Sequence, residues 1–153
     1  MDNSKIYTNI KIKQVEILTG TERYWEMHNL VPSTGLDIIR DAFAGLTTKA
    51  PHLVEIGSGT TAPYSTDNAL QSPTTVAITM STYTLIPPGG ISYTATVGTT
   101  VGAGSKFHEI GLLSATSYLY SRSLIEPGII KTSSNPTVEN ITYECIFTPT
   151  EAT

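Results

Sequence analysis

A single cysteine, Cys145, stands in 153 residues. One thiol cannot close an intramolecular disulfide, so the stapled scaffolds of small secreted domains are excluded, and a reducing compartment is favoured. A zinc site built on several cysteines is excluded with them. Charge is also scarce: Asp, Glu, Lys and Arg make up 14% of the chain, against about 25% in average soluble domains. The nine Lys and Arg are scattered from Lys5 to Lys131 and form no stripe. Nucleic-acid surfaces depend on clustered cations, so direct DNA or RNA binding is not expected. No apolar run approaches the roughly 20 residues of a membrane span. Met1–Lys5 is polar and lacks an apolar core, so neither a signal peptide nor a membrane partner is expected, and synthesis is placed in the cytoplasm. The glycosylation triplet Asn140-Ile141-Thr142 carries no weight without a secretory signal.

Thr and Ser take the place of charge. Thr is a strand former that solvates a sheet without ionising, and an uncharged surface is less costly to desolvate when a partner covers it. Nine prolines, from Pro32 to Pro149, punctuate runs rich in Ile, Val, Thr and Tyr. Proline cannot donate to a β-ladder and marks the connections. Many short strands so divided predict an all-β chain, an antiparallel, jelly-roll-like β-sandwich with one short helix, as a single domain over 1–153.

The first strand starts near Lys5, with Ile6, Thr8, Ile10 and Ile12 on one face. The next apolar pair, Val15 and Ile17, is out of phase, which predicts a β-bulge near Lys13–Gln14. The same stretch, Lys5–Leu18, is expected at a sheet edge, able to add to a neighbour's sheet. Over about 34–46 the spacing of Leu36, Ile39, Phe43 and Leu46 predicts a helix with one apolar stripe. Thr34 to Asp37 would form its capping box. That helix would either plug one end of the sandwich or bind a partner. The long connection 58–73 has no core of its own, and loops of that length usually carry a function.

Two hairpins can be registered on paper. About Pro87–Gly90 a symmetric loop pairs Ile86 with Ile91, Thr82 with Ala95, Met80 with Val97 and Val76 with Val101. About Ser114–Ser117 it pairs Leu113 with Tyr118, Gly111 with Tyr120, Glu109 with Arg122 and Phe107 with Leu124. Tyr120 would cover the strand glycine Gly111, and Glu109 with Arg122 would form an opposite-charge cross-strand pair.

No arrangement of residues carries recognisable chemistry. Ser58 lacks the glycines two positions either side that a nucleophile elbow requires. The Gly98–Lys106 run is out of order for a phosphate loop and is followed by a strand. His28, His52 and His108 have no metal-ligand spacing. Asp37 and Asp41, four apart on a helix, describe a solvated face. Cys145 alternates with Ile141, Tyr143 and Phe147, as a small buried hydrophobe does. No catalytic residue, cofactor or metal is expected.

Two segments resemble those of tailed-bacteriophage virion structural proteins. IGSGTTAPYSTDNAL (Ile56–Leu70) is similar to a phrase there in which a strand ends in Gly-x-Gly-Thr before a Pro and a Thr/Asp-x-x-Leu element. FHEIGLL…YLYSRSLI (Phe107–Ile125) resembles the Glu-Ile-Gly-Leu hairpin that follows. The resemblance covers about 34–148. That family includes small capsid decoration proteins and tail-fibre amino-terminal attachment domains, and it implies a structural role in a virion, with other capsid or tail proteins as partners. A chain ending at Thr153 has no fibre shaft, so a capsid-decorating or auxiliary protein is expected, with a tail or baseplate adaptor as the alternative. A homo-oligomer is expected, with Pro63, Tyr64 and Leu70 of the long loop as its apolar contacts. A carbohydrate-binding sandwich is the competing expectation, with Tyr64, Tyr83, Tyr93, Tyr118 and Tyr120 as its candidate platform.

Overall fold

The computed structural model describes residues 5–46, 51–73, 78–79, 82–87 and 89–148. Among the described residues nine strands and one helix follow in order: β1 (Lys5–Glu16), β2 (Glu22–His28), α1 (Ser33–Phe43), β3 (Pro51–Gly57), β4 (Ile78–Thr79), β5 (Thr82–Ile86), β6 (Gly90–Val97), β7 (Lys106–Ser114), β8 (Leu119–Ile130) and β9 (Thr137–Thr148). They form two antiparallel sheets, of order β2-β1-β9-β6-β5 and β4-β3-β7-β8. The all-β sandwich with one short helix is therefore present.

Between the sheets lies one core, built from alternate residues of each strand. Ile10 and Ile12 of β1, Ala95 and Val97 of β6, and Ile141, Tyr143 and Cys145 of β9 meet Val54, Ile56, Phe107, Ile110 and Leu112 of the other sheet. Cys145 is buried as its alternation requires.

The first strand departs from expectation in two ways. It contains no bulge: β1 pairs without interruption with β2 and with β9, from Lys5 opposite Thr148 to Glu16 opposite Thr137. The inward parity of Ile10 and Ile12 continues through Gln14 and Glu16, which are buried polar residues. Nor is β1 an edge; it lies between β2 and β9.

Gln14 and Glu16 belong to a polar plug at one end of the sandwich. The Lys131 ammonium donates to Glu139 Oε2 at 2.7 Å, to Gly98 O at 2.7 Å and to Thr137 O at 3.1 Å, using all three of its protons. Glu139 Oε1 accepts from Gln14 Nε2 at 2.9 Å and from Thr137 Oγ1 at 2.7 Å. A buried ion pair is tolerable only when its remaining hydrogen-bonding capacity is filled, as here.

Both hairpin registers differ from those drawn symmetrically. β5 and β6 pair Leu85 with Ile91 and Ile86 with Gly90, one residue off. Gly89 takes the positive φ of 76° that a three-residue loop demands. A Cβ at Gly90 would meet Ile86 O at 2.8 Å, so the tight closure needs glycine. β4 pairs with β3 in the other sheet, Ile78 opposite Val54. Val76, Met80 and the pairings drawn for them lie outside the described residues.

β7 and β8 pair Glu109 with Leu124 and Gly111 with Arg122. The turn is longer than drawn, running from Ser114 to Tyr118 with Ser117 at φ 66°. The pairing then shifts again between Leu113 opposite Leu119 and Leu112 opposite Ser121, which leaves Tyr120 as the extra residue of a β-bulge. Tyr120 therefore does not cover Gly111.

One long side of the sandwich is stitched shut. Leu30 and Arg122 exchange both backbone hydrogen bonds, at 3.1 Å each. Trp25 Nε1 donates to Pro127 O at 2.9 Å, and Ser123 Oγ to His28 O at 3.1 Å.

Candidate functional site

The two sequence segments singled out for their resemblance form one physical unit. Loop 58–73 lies over the outer face of the four-stranded sheet, held from beneath by Glu109 and Arg122. Glu109 Oε1 accepts from the backbone N–H of Gly59 at 3.2 Å and of Ser72 at 2.7 Å; Oε2 accepts from Gln71 N–H at 3.0 Å and Arg122 Nε at 2.9 Å. The other Arg122 nitrogens donate to Asp67 Oδ2 and to Thr61 O, each at 2.8 Å. Glu109 and Arg122 are buried beneath it. A loop with few apolar residues is thus ordered by charge-assisted hydrogen bonds to its own backbone.

Glycines make the close approach feasible. A Cβ at Gly57 would meet Ser72 O at 2.4 Å, and one at Gly59 would meet Glu109 Oε1 at 2.5 Å. Gly111 is covered by Leu70 and Leu119, whose methyl carbons would lie 2.9 and 3.2 Å from its Cβ. Leu70 is therefore buried against its own chain, which removes it from the expected inter-subunit contacts. Pro63 is half-buried and Tyr64 is exposed on the same loop.

The polar atoms of this cluster are taken up by the chain itself. Every oxygen of Glu109 and every nitrogen of Arg122 is engaged with the chain itself, and the loop covers them. Neighbouring Glu55, opposite Gly111 on β3, has its pKa raised by burial and secondarily by the Glu109 charge. Asp67, the third member, was not singled out in the sequence. Its only signal is its place in the Thr/Asp-x-x-Leu element.

A different surface is open. Helix α1 packs by Gly35, Ile38 and Asp41. A Cβ at Gly35 would lie 2.1 Å from Tyr120 O, so glycine sets that contact. The drawn capping box is absent: the N-cap is Pro32 without a side-chain cap, and Thr34 Oγ1 donates to Leu119 O at 2.8 Å instead. Leu36, Phe43 and Leu46, three of the four residues of the apolar stripe, face solvent, Phe43 with 90% of its surface.

Beside Phe43 runs a cleft of about 470 Å³ lined by Ile38, Ile39, Ala42, Pro51, Ile91, Tyr93, Tyr120 and Cys145. Burial pushes the Tyr93 hydroxyl up to about 12 and the Cys145 thiol up to about 11, so the cleft is neutral at physiological pH. It can take apolar groups and offers nothing to hold an ion.

Of the tyrosines considered for a sugar platform, Tyr120 is buried and Tyr93 half-buried at this cleft, while Tyr64, Tyr83 and Tyr118 are exposed on three separate elements. His28, His52 and His108 lie on β2, β3 and β7. Among the described residues no group of three His, Cys, Asp or Glu could hold a metal ion, and no helix is long and apolar enough to cross a membrane. Comparison of the chain with protein-family models, curated proteins and solved structures finds no match.

Proposed function

We propose that this chain is a structural component of a tailed-phage particle: a small capsid-decorating or auxiliary virion protein, made in the host cytoplasm. It docks by its β-domain against other virion proteins and catalyses nothing. The observation that carries this is the outward stripe of α1. A helix normally turns its apolar stripe to its own core. Here Leu36 and Phe43, with Leu46 three residues beyond the helix, point away from it, and Phe43 lines a neutral apolar cleft. Contiguous exposed apolar surface rimmed by polar residues is characteristic of protein–protein contact.

The resemblance of Ile56–Leu70 and Phe107–Ile125 to virion proteins supplies the identity of the partner. The packing of those two segments on each other supports treating them as one inherited unit. Cosedimentation is the test: purified chain is mixed with empty capsids or with isolated tails of the source phage, and bound particles are labelled with immunogold. Saturable binding to heads is expected. Binding to tails alone would select the adaptor role, and binding to neither, with a positive glycan array, would select the carbohydrate module.

A further inference from the structure

Each sheet edge among the described residues is guarded except one. The β2 edge carries Glu22, Arg23 and Glu26, and Trp25 ties it to Pro127. The β8 edge is bonded to Leu30 at Arg122. β4 has two described residues. β5, Thr82–Ile86, pairs with β6 on one side only, and its sequence, TYTLI, contains no charge, glycine or proline. Natural sheets protect edges with Lys, Pro, bulges or cover, and an edge with none of these is a pairing template.

The side chains of β5 reinforce this. Tyr83 pairs with Tyr93 and Leu85 with Ile91, so both lie on the inner face of the sheet, alongside the apolar cleft. Yet Tyr83 is 65% and Leu85 68% exposed. The five-stranded sheet overhangs here, with its inward residues uncovered.

We propose that β5 pairs antiparallel with β5 of a second copy of this chain, about a twofold axis at Thr84. This rests on the docking surface assigned above and names one of its partners. Three observations favour a second copy over an unrelated strand. First, the register is self-consistent. Centring on Thr84 sets Tyr83 opposite the partner copy's Leu85, and the reverse, so that both copies place their apolar residues on one face, as antiparallel pairing requires. Thr82 then meets Ile86. Second, a chain of net charge −4 repels its copy, and β5 brings no charge to the contact. Third, Tyr83 and Leu85 together expose on the order of 250 Å² per copy, given the size of such side chains. With strand backbone and both copies counted, this falls in the range below about 1,200 Å² of weak, reversible contacts. The product is a continuous ten-stranded sheet with an isologous interface.

The experiment uses the full chain and three variants, Leu85→Lys, Thr84→Cys and Thr96→Cys. Analytical ultracentrifugation across about 1–100 μM, a range spanning ordinary dimer affinities, should show the parent as a dimer. Leu85→Lys should weaken dimerisation at least tenfold with an unchanged circular-dichroism spectrum. Under mild oxidation Thr84→Cys should give a covalent dimer, because its two copies meet at the axis. Thr96→Cys, exposed on the inner strand β6, should not. A parent that stays monomeric throughout the range overturns the second copy as partner. A dimer unaffected by Leu85→Lys, or cross-linked equally at both positions, overturns β5 as the contact. Particle binding by a monomeric parent would leave the virion role standing while removing this inference. A dimer that ignores particles would do the reverse.

Discussion

Glu109 and Arg122 form a buried ion pair, with Oε2 2.9 Å from Nε, although they are not opposite each other in the hairpin. Gly111 stands opposite Arg122, and the long Arg122 side chain runs along the sheet to Glu109, two residues from Gly111. Diagonal neighbours of this kind are within reach of long side chains. The pair is also the floor of loop 58–73, so its loss should be felt there.

Arg122→Met is expected to destabilise the fold by about 3–5 kcal/mol, because it leaves the buried Glu109 and the half-buried Asp67 without their cation. Chemical denaturation gives the magnitude. Hydrogen exchange gives the location: Gly59, Gln71 and Ser72 amides should lose protection before the β1–β9 ladder does. Uniform loss of protection would show that the pair does not specifically hold the loop.

The sandwich was legible because alternation along a strand is local, and the inward sets Ile10/Ile12 and Ile141/Tyr143/Cys145 state it directly. The register of β7 on β8 was not. It depends on Ser117 adopting positive φ and on Tyr120 bulging, and neither residue type announces this. The continuation of β1 inward through Gln14 and Glu16 was concealed because their distant partners, Thr137 and Glu139 for Gln14 and Asn135 for Glu16, lie more than 100 residues away. For the helix, the spacing marked an apolar stripe but did not say whether it faces the core or a partner. Gly35, invisible to a hydrophobicity pattern, decides which face docks.

Gly35→Ala tests that last point. In an exposed helix interior Gly→Ala gains about 1 kcal/mol. Here the new Cβ would sit 2.1 Å from Tyr120 O, and overpacking of this kind costs about 1–3 kcal/mol. A net loss is expected in urea denaturation. A gain would mean that the helix does not rest on the Tyr120 bulge.

The polar plug should show strong coupling. Lys131→Met alone leaves Glu139 buried without its cation, an expected loss of about 3–5 kcal/mol. Adding Glu139→Leu removes the stranded charge and should restore much of that loss, since hydrophobic replacement of a buried pair is often near neutral. A double-mutant cycle on thermal or urea unfolding reads the coupling. Additive losses would show that the two groups act independently.

Alkaline pH should weaken the fold through the cleft. Burial raises the Cys145 thiol from its ordinary 9.0 to about 11. Between those values the unfolded chain has released this proton while the folded chain keeps it. Stability from this group is therefore full below about pH 9 and declines as pH rises to 11. Unfolding free energy measured from pH 8 to 11 should fall, and Cys145→Ala should flatten the slope. Native protein at pH 8 should resist thiol reagents that label the unfolded chain at once.

The outward stripe separates stability from docking. Phe43 is 90% and Leu36 53% exposed, whereas Ile38, on the same helix, is 4% exposed. Surface substitutions away from special features change stability by no more than about 0.5 kcal/mol, so Leu36→Ser with Phe43→Ser should melt like the parent. Ile38→Ala should lose about 2–5 kcal/mol, as buried isoleucines do. Binding should respond in the opposite sense. The double serine variant is expected to lose at least tenfold in affinity for particles. Ile110→Ala, at a core position away from the cleft and measured below its melting temperature, should bind as the parent does. If the serine variant is instead the unstable one, the stripe packs on its own domain and the docking role assigned to it is wrong.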